Sequence, residues 1–261
     1  MRTHSQAVQD QFDPQARAYL TSAVHAAGPD LQAARELAAR SLAAAAEVLD
    51  VGTGAGHLSF TLAPLARRVV ALDPSAGMLH TVRGAAAERG LQQIETCEAA
   101  AAALPFAPAT FDLVCTRYSA HHWFDLPRAL CEMRRVVKPD GFILVIDLLG
   151  DDHPLVDTHL QSIELLRDTS HVRDRSVAEW HLLLREAGFT HIEHRTWSTR
   201  LEFASWVQRM RTPEALVTAI RMLQTGAAAE VQRALNIEAD GSFTPRTGLF
   251  WGRCADDRVH L

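Results

Sequence analysis

The stretch Glu47-Val48-Leu49-Asp50-Val51-Gly52-Thr53-Gly54-Ala55-Gly56-His57 constrains this chain more than any other. Val48 to Val51 read as a short buried strand with Asp50 near its carboxyl end. Glycines follow at 52, 54 and 56, and Leu58 to Ala63 read as a helix. Strand, glycine loop and helix in that order form the first unit of a nucleotide-binding α/β sheet. Without Cβ atoms, such a loop turns tightly and lies close to a ligand.

The loop also narrows the kind of ligand. The dinucleotide fingerprint G-x-G-x-x-G needs a third glycine where this chain has His57. A carboxylate at Asp50 is poorly placed beside a pyrophosphate and suits a ligand carrying an ammonium group. A second strand, Arg68 to Asp73, also ends in an acid. There it can accept hydrogen bonds from ribose hydroxyls, worth roughly 1.5–3 kcal/mol for a charged acceptor. The bland alternative is a solvated turn in an ordinary α/β protein.

A chain of 261 residues can bury a large core, and 48% apolar with 22% charged residues is ordinary for a soluble globular protein. The net charge of −5 shows no electrostatic footprint for nucleic acid. Cys97, Cys115, Cys131 and Cys254 are scattered with no C-x-x-C pair, which points to reduced thiols rather than disulfides or a metal. The polar N-terminus and the lack of a run of roughly 18 apolar residues predict no membrane span and a cytoplasmic protein.

Ala16–Ala27 and Asp30–Ala46 read as helices broken by Gly28-Pro29, with Phe12, Tyr19 and His25 able to face a ligand. Core packing competes for Phe12. A helix starting at Pro74-Ser75 runs to about Arg89, with Met78 either against an adenine ring or in the core. Strands follow at Leu91–Cys97, Phe111–Thr116 and Phe142–Leu148, with a helix over Leu126–Val137 that Lys138-Pro139-Asp140-Gly141 terminates. Ser176 with Glu179 caps a helix to Ala187, ahead of a strand His191–Trp197. Helices over 202–235 precede the last strand, Gly248–Cys254, as an insertion able to cover a site. The alternation predicts an α/β fold: a doubly wound, mostly parallel, seven-stranded Rossmann-like sheet with ligands at the strands' carboxyl ends. Its parts are a helical cap (1–46), a nucleotide-binding core (47–150) and a region (151–261) that completes the sheet and adds a helical lid.

Asp50-Val51-Gly52-Thr53-Gly54-Ala55-Gly56, Asp73-Pro74-Ser75, Leu104-Pro105-Phe106, Phe111-Asp112-Leu113-Val114 and Arg135-Val136-Val137-Lys138-Pro139-Asp140-Gly141 occur in order. Together they resemble class I S-adenosylmethionine-dependent methyltransferases, in the ubiquinone/menaquinone C-methyltransferase-like branch, over about residues 47 to 150. Arg117–His122 and Arg167–Arg173 resemble segments of uncharacterised bacterial members. The resemblance implies S-adenosylmethionine as cofactor and S-adenosylhomocysteine as product. It places them on Asp50, Gly52, Thr53, Gly54, Gly56, Asp73, Pro74, Met78, Ala100, Ala101 and Arg117. Relatives often carry an acid where this chain has Ala102, which leaves the adenine amine to main chain or to Glu98.

Methyl transfer needs an in-line nucleophile, so positioning and exclusion of water can supply most of the acceleration. A base matters only where the acceptor must lose a proton. His121, His122 and Tyr19 are the catalytic candidates, with Tyr118 close by and loop support as the competing role for the histidines. The expected activity is methylation of a small-molecule acceptor, at carbon or oxygen first and nitrogen next. An idle domain that senses S-adenosylmethionine is the alternative, and a dehydrogenase is disfavoured by His57 and Asp50.

Overall fold

Runs as apolar as Val48–Val51, Val69–Leu72 and Ile143–Ile146 bury both faces of a strand, which requires a sheet covered by helices on each side. The computed structural model, which describes residues 2–15, 19–20 and 28–255, has that arrangement. The strands are β1 (Glu47–Val51), β2 (Arg68–Asp73), β3 (Ile94–Glu98), β4 (Phe111–Arg117), β5 (Val137–Leu148), β6 (Phe189–Ser198) and β7 (Arg246–Cys254). They form one sheet in the order β3-β2-β1-β4-β5-β7-β6. All pairs are parallel except those of β7, which runs antiparallel to β5 and β6. Chain order reverses between β1 and β4, so the loops leaving these two strands diverge and open a crevice at their carboxyl ends.

The described α-helices begin with α1 (His4–Phe12), α2 (Pro29–Ser41), α3 (His57–Leu62), α4 (Ala76–Glu88) and α5 (Leu126–Val136). After β5 come α6 (Pro154–Arg167), α7 (Val177–Glu186), α8 (Phe203–Arg209), α9 (Glu214–Thr225) and α10 (Ala229–Ala234). Neighbouring strand residues serve opposite layers, as a period of two demands. Leu49, Val114 and Val145 meet Leu130 and Met133 of α5 and Trp180 and Leu184 of α7. Val48, Leu113 and Leu144 meet Leu31 and Leu37 of α2 and Leu58 and Leu62 of α3. The capping box at Ser176 and Glu179 starts α7 as expected.

Within the region 1–46, α2 lays Leu31, Ala34, Leu37 and Ala38 into the core against the sheet, while α1 buries none of its residues. Much of the 16–27 helix, with His25, lies outside the described residues, although Tyr19 and Leu20 are within them. Two expectations change. Lys138 to Gly141 does not separate helix from strand. It is a distortion inside β5, where Asp140 takes φ +62° and the register with β4 jumps from Phe111↔Val137 to Leu113↔Phe142. The lid is also larger than the 202–235 insertion. Val156, Leu160 and Ile163 of α6 share a separate core with Trp206, Ile220, Val231 and Phe243.

Candidate active site

The glycine loop is stapled to the sheet by Gly52 N and Thr53 N, which both donate to Leu72 O at 2.8 and 2.9 Å. Gly52, Gly54 and Gly56 have φ of +68°, +53° and +89°, in the left-handed region that disfavours a side chain. A Cβ on Gly52 would lie 1.9 Å from Ser119 Oγ, and one on Gly56 would lie 2.7 Å from Phe60 Cζ. One on Gly54 would meet nothing within 4 Å. Gly54 therefore faces open space, and it lines a cavity of about 260 Å³ at the carboxyl edge of the sheet.

The two acids at the strand ends hold this loop. Asp50 Oδ2 accepts from Thr53 Oγ1 at 2.8 Å and Ser59 Oγ at 2.7 Å. Burial pushes the Asp50 carboxyl above its usual pKa, and the two hydroxyls pull it back. The Cys115 thiol lies 4.0 Å from Asp50 Oδ1. Asp73 accepts from Gly54 N and from Ser75 N, each at 2.9 Å, through different oxygens. Its pKa is raised to about 6, by burial first and then by the Asp50 and Asp13 charges against those amide bonds. A carboxylate oxygen has more than one lone pair, so Asp73 can bind loop amides and ribose hydroxyls together.

Above this edge, α1 and the turn after it reach across. Gln9 Nε2 donates to Pro74 O at 2.8 Å, and Ser75 Oγ donates to Asp13 Oδ1. Gln11 Nε2 donates to Met210 O at 3.1 Å, so the same helix also touches the lid. Tyr19 donates from its hydroxyl to Met210 Sδ at 3.0 Å, and its carbonyl meets His57 Nε2 at 3.0 Å. Phe12 sits edge-on to Tyr19 and to His122, with centroids 5.8 and 4.9 Å away. Phe12, Tyr19 and His122 all line the cavity.

The loop after β4 brings Arg117–His122 against Arg167–Arg173. Val172 N and Arg173 N donate to His121 O at 2.9 and 3.2 Å. His121 Nδ1 pairs with Asp147 Oδ1 at 2.5 Å, and Asp147 Oδ2 accepts from His121 N at 3.0 Å. Burial works against the imidazolium, but Asp147 outweighs it with Asp174 and Glu164 behind, and the pKa rises to about 9. His121 is thus a cation at neutral pH. Beside it, at 4.1 Å between centroids, His122 has its pKa pushed down to about 3 by burial and by the His121 charge. His122 Nδ1 lies 3.2 Å from Ser170 O, which can only accept, so this nitrogen carries the proton and Nε2 keeps its lone pair. Asp168 Oδ2 is 3.9 Å from that Nε2, while Oδ1 accepts from Ser170 N and Ser170 Oγ.

Of the residues expected at the site, Gly56 and Glu98 do not line this cavity and His25 lies outside the described residues; the others border it, but several are committed to other work. Arg117, expected on the cofactor, donates from Nε to Asp30 Oδ2 of α2 at 2.6 Å in a buried ion pair. Tyr19 is bonded to a thioether, and burial raises its pKa, which argues against a proton-accepting role. Tyr118 likewise sits at about 12, through burial and the Asp30 charge, with its hydroxyl 3.2 Å from Thr247 Oγ1. Met78 is buried yet borders the cavity beside Ala100, Ala101 and Ala102, whereas Glu98 is exposed and outside it. Arg135 explains why Leu104-Pro105-Phe106 accompanies that alanine wall. It donates to Leu104 O and Phe106 O and pairs with Glu132, which accepts from Leu104 N. Sequence reasoning missed Asp147, Asp168 and Arg209. The likeness of 167–173 to family segments was a signal for Asp168, while Asp147, inside an apolar strand, and Arg209 had none.

A seven-stranded sheet in this order, reversed only at β7, with a glycine loop beside an acid-ended second strand, is the architecture of class I methyltransferases. A methyltransferase-domain family matches residues 49–145. The chain is 47% identical over 193 residues to the uncharacterized protein YafE of Escherichia coli (strain K12), covering 74% of this chain and 93% of that one. It is 31% identical over 202 residues to the uncharacterized methyltransferase YcgJ of Bacillus subtilis (strain 168), covering 77% and 79%. The crystal structure of YcgJ superposes with a TM-score of 0.82 at 28% identity, over 87% of this chain and 98% of that one. The ubiquinone/menaquinone biosynthesis C-methyltransferase UbiE of Hahella chejuensis is 35% identical over 117 residues, 43% of this chain and 47% of its own. The chain belongs to the methyltransferase family. Among the described residues, no helix is long and apolar enough to cross a membrane.

Proposed function

We propose that the chain is an S-adenosylmethionine-dependent methyltransferase that methylates a small molecule at carbon or oxygen. One observation carries the reading: a single cavity is lined both by the glycine loop with Asp73 and by Phe12, Tyr19, His122 and the lid. A domain that only sensed the cofactor would have no use for the second half. The residues fit the cofactor, since the loop leaves open space at Gly54 and presents two carboxylates. When bound, S-adenosylmethionine supplies an electrophilic methyl group on a sulfonium.

In this reading Gly52, Thr53 and Gly54 hold the methionine and ribose, and Asp73 accepts from the ribose hydroxyls. Asp50 braces the loop and offers Oδ1 to the ammonium. Pro74, Met78, Ala100 and Ala101 flank the adenine. Phe12 and α1 exclude water from above. His122 Nε2 accepts a hydrogen bond from the acceptor and orients it. A group with a pKa near 3 takes a proton poorly at neutral pH, so the acceptor's nucleophile is carbon, or an oxygen already close to ionisation.

Calorimetry tests the cofactor half: S-adenosylmethionine and S-adenosylhomocysteine bind and NAD does not. The reverse pattern would refute the reading. Release of S-adenosylhomocysteine across a panel of phenolic and enolic acceptors tests the other half.

A further inference from the structure

Three arginines border the cavity, and the fold provides for them unequally. Arg117 is neutralised by the buried carboxylate of Asp30. Arg167, at the end of α6, stacks on Trp206 with its guanidinium carbon 4.9 Å from the ring centroid. Its Nε donates to Trp206 O at 3.0 Å, and its Nη1 reaches Glu164 Oε2 at 3.4 Å. Neither bond uses Nη2. Arg209, at the end of α8, lines the same cavity half-buried, and no carboxylate of the described residues lies within 4 Å of it. Burial and the neighbouring Arg167 charge both oppose its charged form, with Tyr19 and Glu164 as weaker support.

A guanidinium drawn partly out of water beside a second one costs free energy unless an anion joins it. Here the lid leaves two forks, one with no carboxylate of the described residues within reach, on a cavity wall that also carries Phe12, Leu201, Trp206 and, next to Arg167 in sequence, the acid Asp168. The planar fork matches a carboxylate or phosphate through paired N–H donors. We infer that the methyl acceptor is a compact, largely apolar molecule carrying one oxyanion, which Arg209 binds with Arg167 Nη2 beside it. This rests on the methyltransferase reading and adds to it the charge of the substrate. It also suits a site whose neutral histidine is a weak base, because the arginines favour an ionised acceptor.

The probes are benzoate, phenyl phosphate and the neutral benzamide, titrated into the full chain with and without saturating S-adenosylhomocysteine. At least one anion should bind ten times or more tighter than benzamide, and should still bind with S-adenosylhomocysteine present. Arg209→Gln should weaken that anion roughly tenfold to a hundredfold, the effect of losing a charged hydrogen-bond donor. Arg209→Lys should restore part of it, and S-adenosylhomocysteine should bind both variants as it binds the parent. Equal binding of anions and benzamide, indifference to Arg209→Gln, or displacement of the anion by S-adenosylhomocysteine would each overturn the inference. Failure of S-adenosylhomocysteine to bind, measured alone, would instead overturn the cofactor reading. The Arg209 comparison is decided in either case.

Discussion

The half of the cavity proposed for the cofactor and the half proposed for the acceptor are built in opposite ways. Around the glycine loop, the bonds that set the geometry join residues close in sequence. Thr53 reaches Asp50 three positions back, Ser75 reaches Asp73 across two, and Gly54 reaches Asp73 across nineteen. On the acceptor side, His4 meets the carbonyl of His122 across 118 positions, Tyr19 meets Met210 across 191, and Gln11 meets Met210 across 199. Short loops close at little entropic cost, so the first half is a property of the strand–turn–helix unit. The second half exists only once α1, the loop after β4 and the lid have been brought together by the rest of the fold. One consequence is that the cofactor geometry survives changes in the lid, while the acceptor geometry is open to change.

The largest expected effect lies beneath the acceptor half. Asp147→Asn leaves the buried His121 without its counter-ion, and breaking such a pair costs about 3–5 kcal/mol in thermal or denaturant unfolding. The sign with pH is fixed. His121 has a folded pKa of about 9 against an ordinary 6.5, so the stabilisation is complete below 6.5 and disappears as pH rises through 9. The gap between parent and variant should narrow over that range. If the gap stays constant from pH 6 to 10, the pair is not what holds this loop.

Gly52→Ala comes next and strikes the cofactor half. A methyl group there collides with Ser119 and must adopt φ +68°, so S-adenosylhomocysteine should bind roughly a hundredfold weaker and the melting temperature should fall. Gly54→Ala sharpens the contrast. Its methyl enters open space, so stability falls by only about 1 kcal/mol of backbone strain, yet ligand binding still suffers. Equal melting temperatures for the two variants would contradict the assignment of their surroundings.

Asp73 gives a smaller effect with a pH signature. In the proposed site the ionised carboxylate accepts from ribose hydroxyls, and on that reading affinity for S-adenosylhomocysteine should rise as pH increases through about 6 and level off above it. In the empty protein the sign is opposite. Burial raises this pKa from 3.8, so the contribution of Asp73 to stability is present below 3.8 and lost as pH rises through about 6. Asp73→Asn should cost roughly tenfold to a hundredfold in affinity and flatten that pH profile. Asn keeps an acceptor for one of the two amides of Gly54 and Ser75 and loses the other, whereas Ala releases both, so the melting temperature of each variant is read beside its affinity.

Tyr19→Phe is the mildest. It removes a bond to a thioether, a weak acceptor, and should cost under about 1 kcal/mol while leaving turnover within a fewfold. Hydrogen exchange should show residues 10–15 gaining protection when S-adenosylhomocysteine is added, since Gln9 and Asp13 close over Pro74 and Ser75. Protection that is the same with and without ligand would make α1 a permanent part of the core rather than a cap.

How much could be read in advance follows the same division. The glycine turn, the acid at the end of β2, the capping box of α7 and the alternation of strands and helices rest on local spacing, and all are present. The alanine-rich α2 looks alike as cap or as layer, because small residues let a helix pack closely on any surface; Leu31 and Leu37 reveal the answer only through burial. Arg117 ends a strand whose carboxyl edge opens on the cavity, and nothing in its neighbourhood announces that Asp30, far earlier in the chain, neutralises it.

Val48–Val51, the three glycines and Asp73 determine by themselves that this chain forms a tight glycine turn at the carboxyl edge of a parallel sheet. The reason is that tight turns and strand ends are decided by backbone sterics and hydrogen bonds among near neighbours. Only the tertiary structure decides that His121 is charged and His122 neutral. Two adjacent identical side chains differ because Asp147 pairs with one and burial isolates the other. Likewise Arg209 acquires its meaning from its place on the cavity wall beside Arg167. Electrostatic character inside a protein belongs to distances between distant parts of the chain, and those come into being when the sheet, α1 and the lid meet.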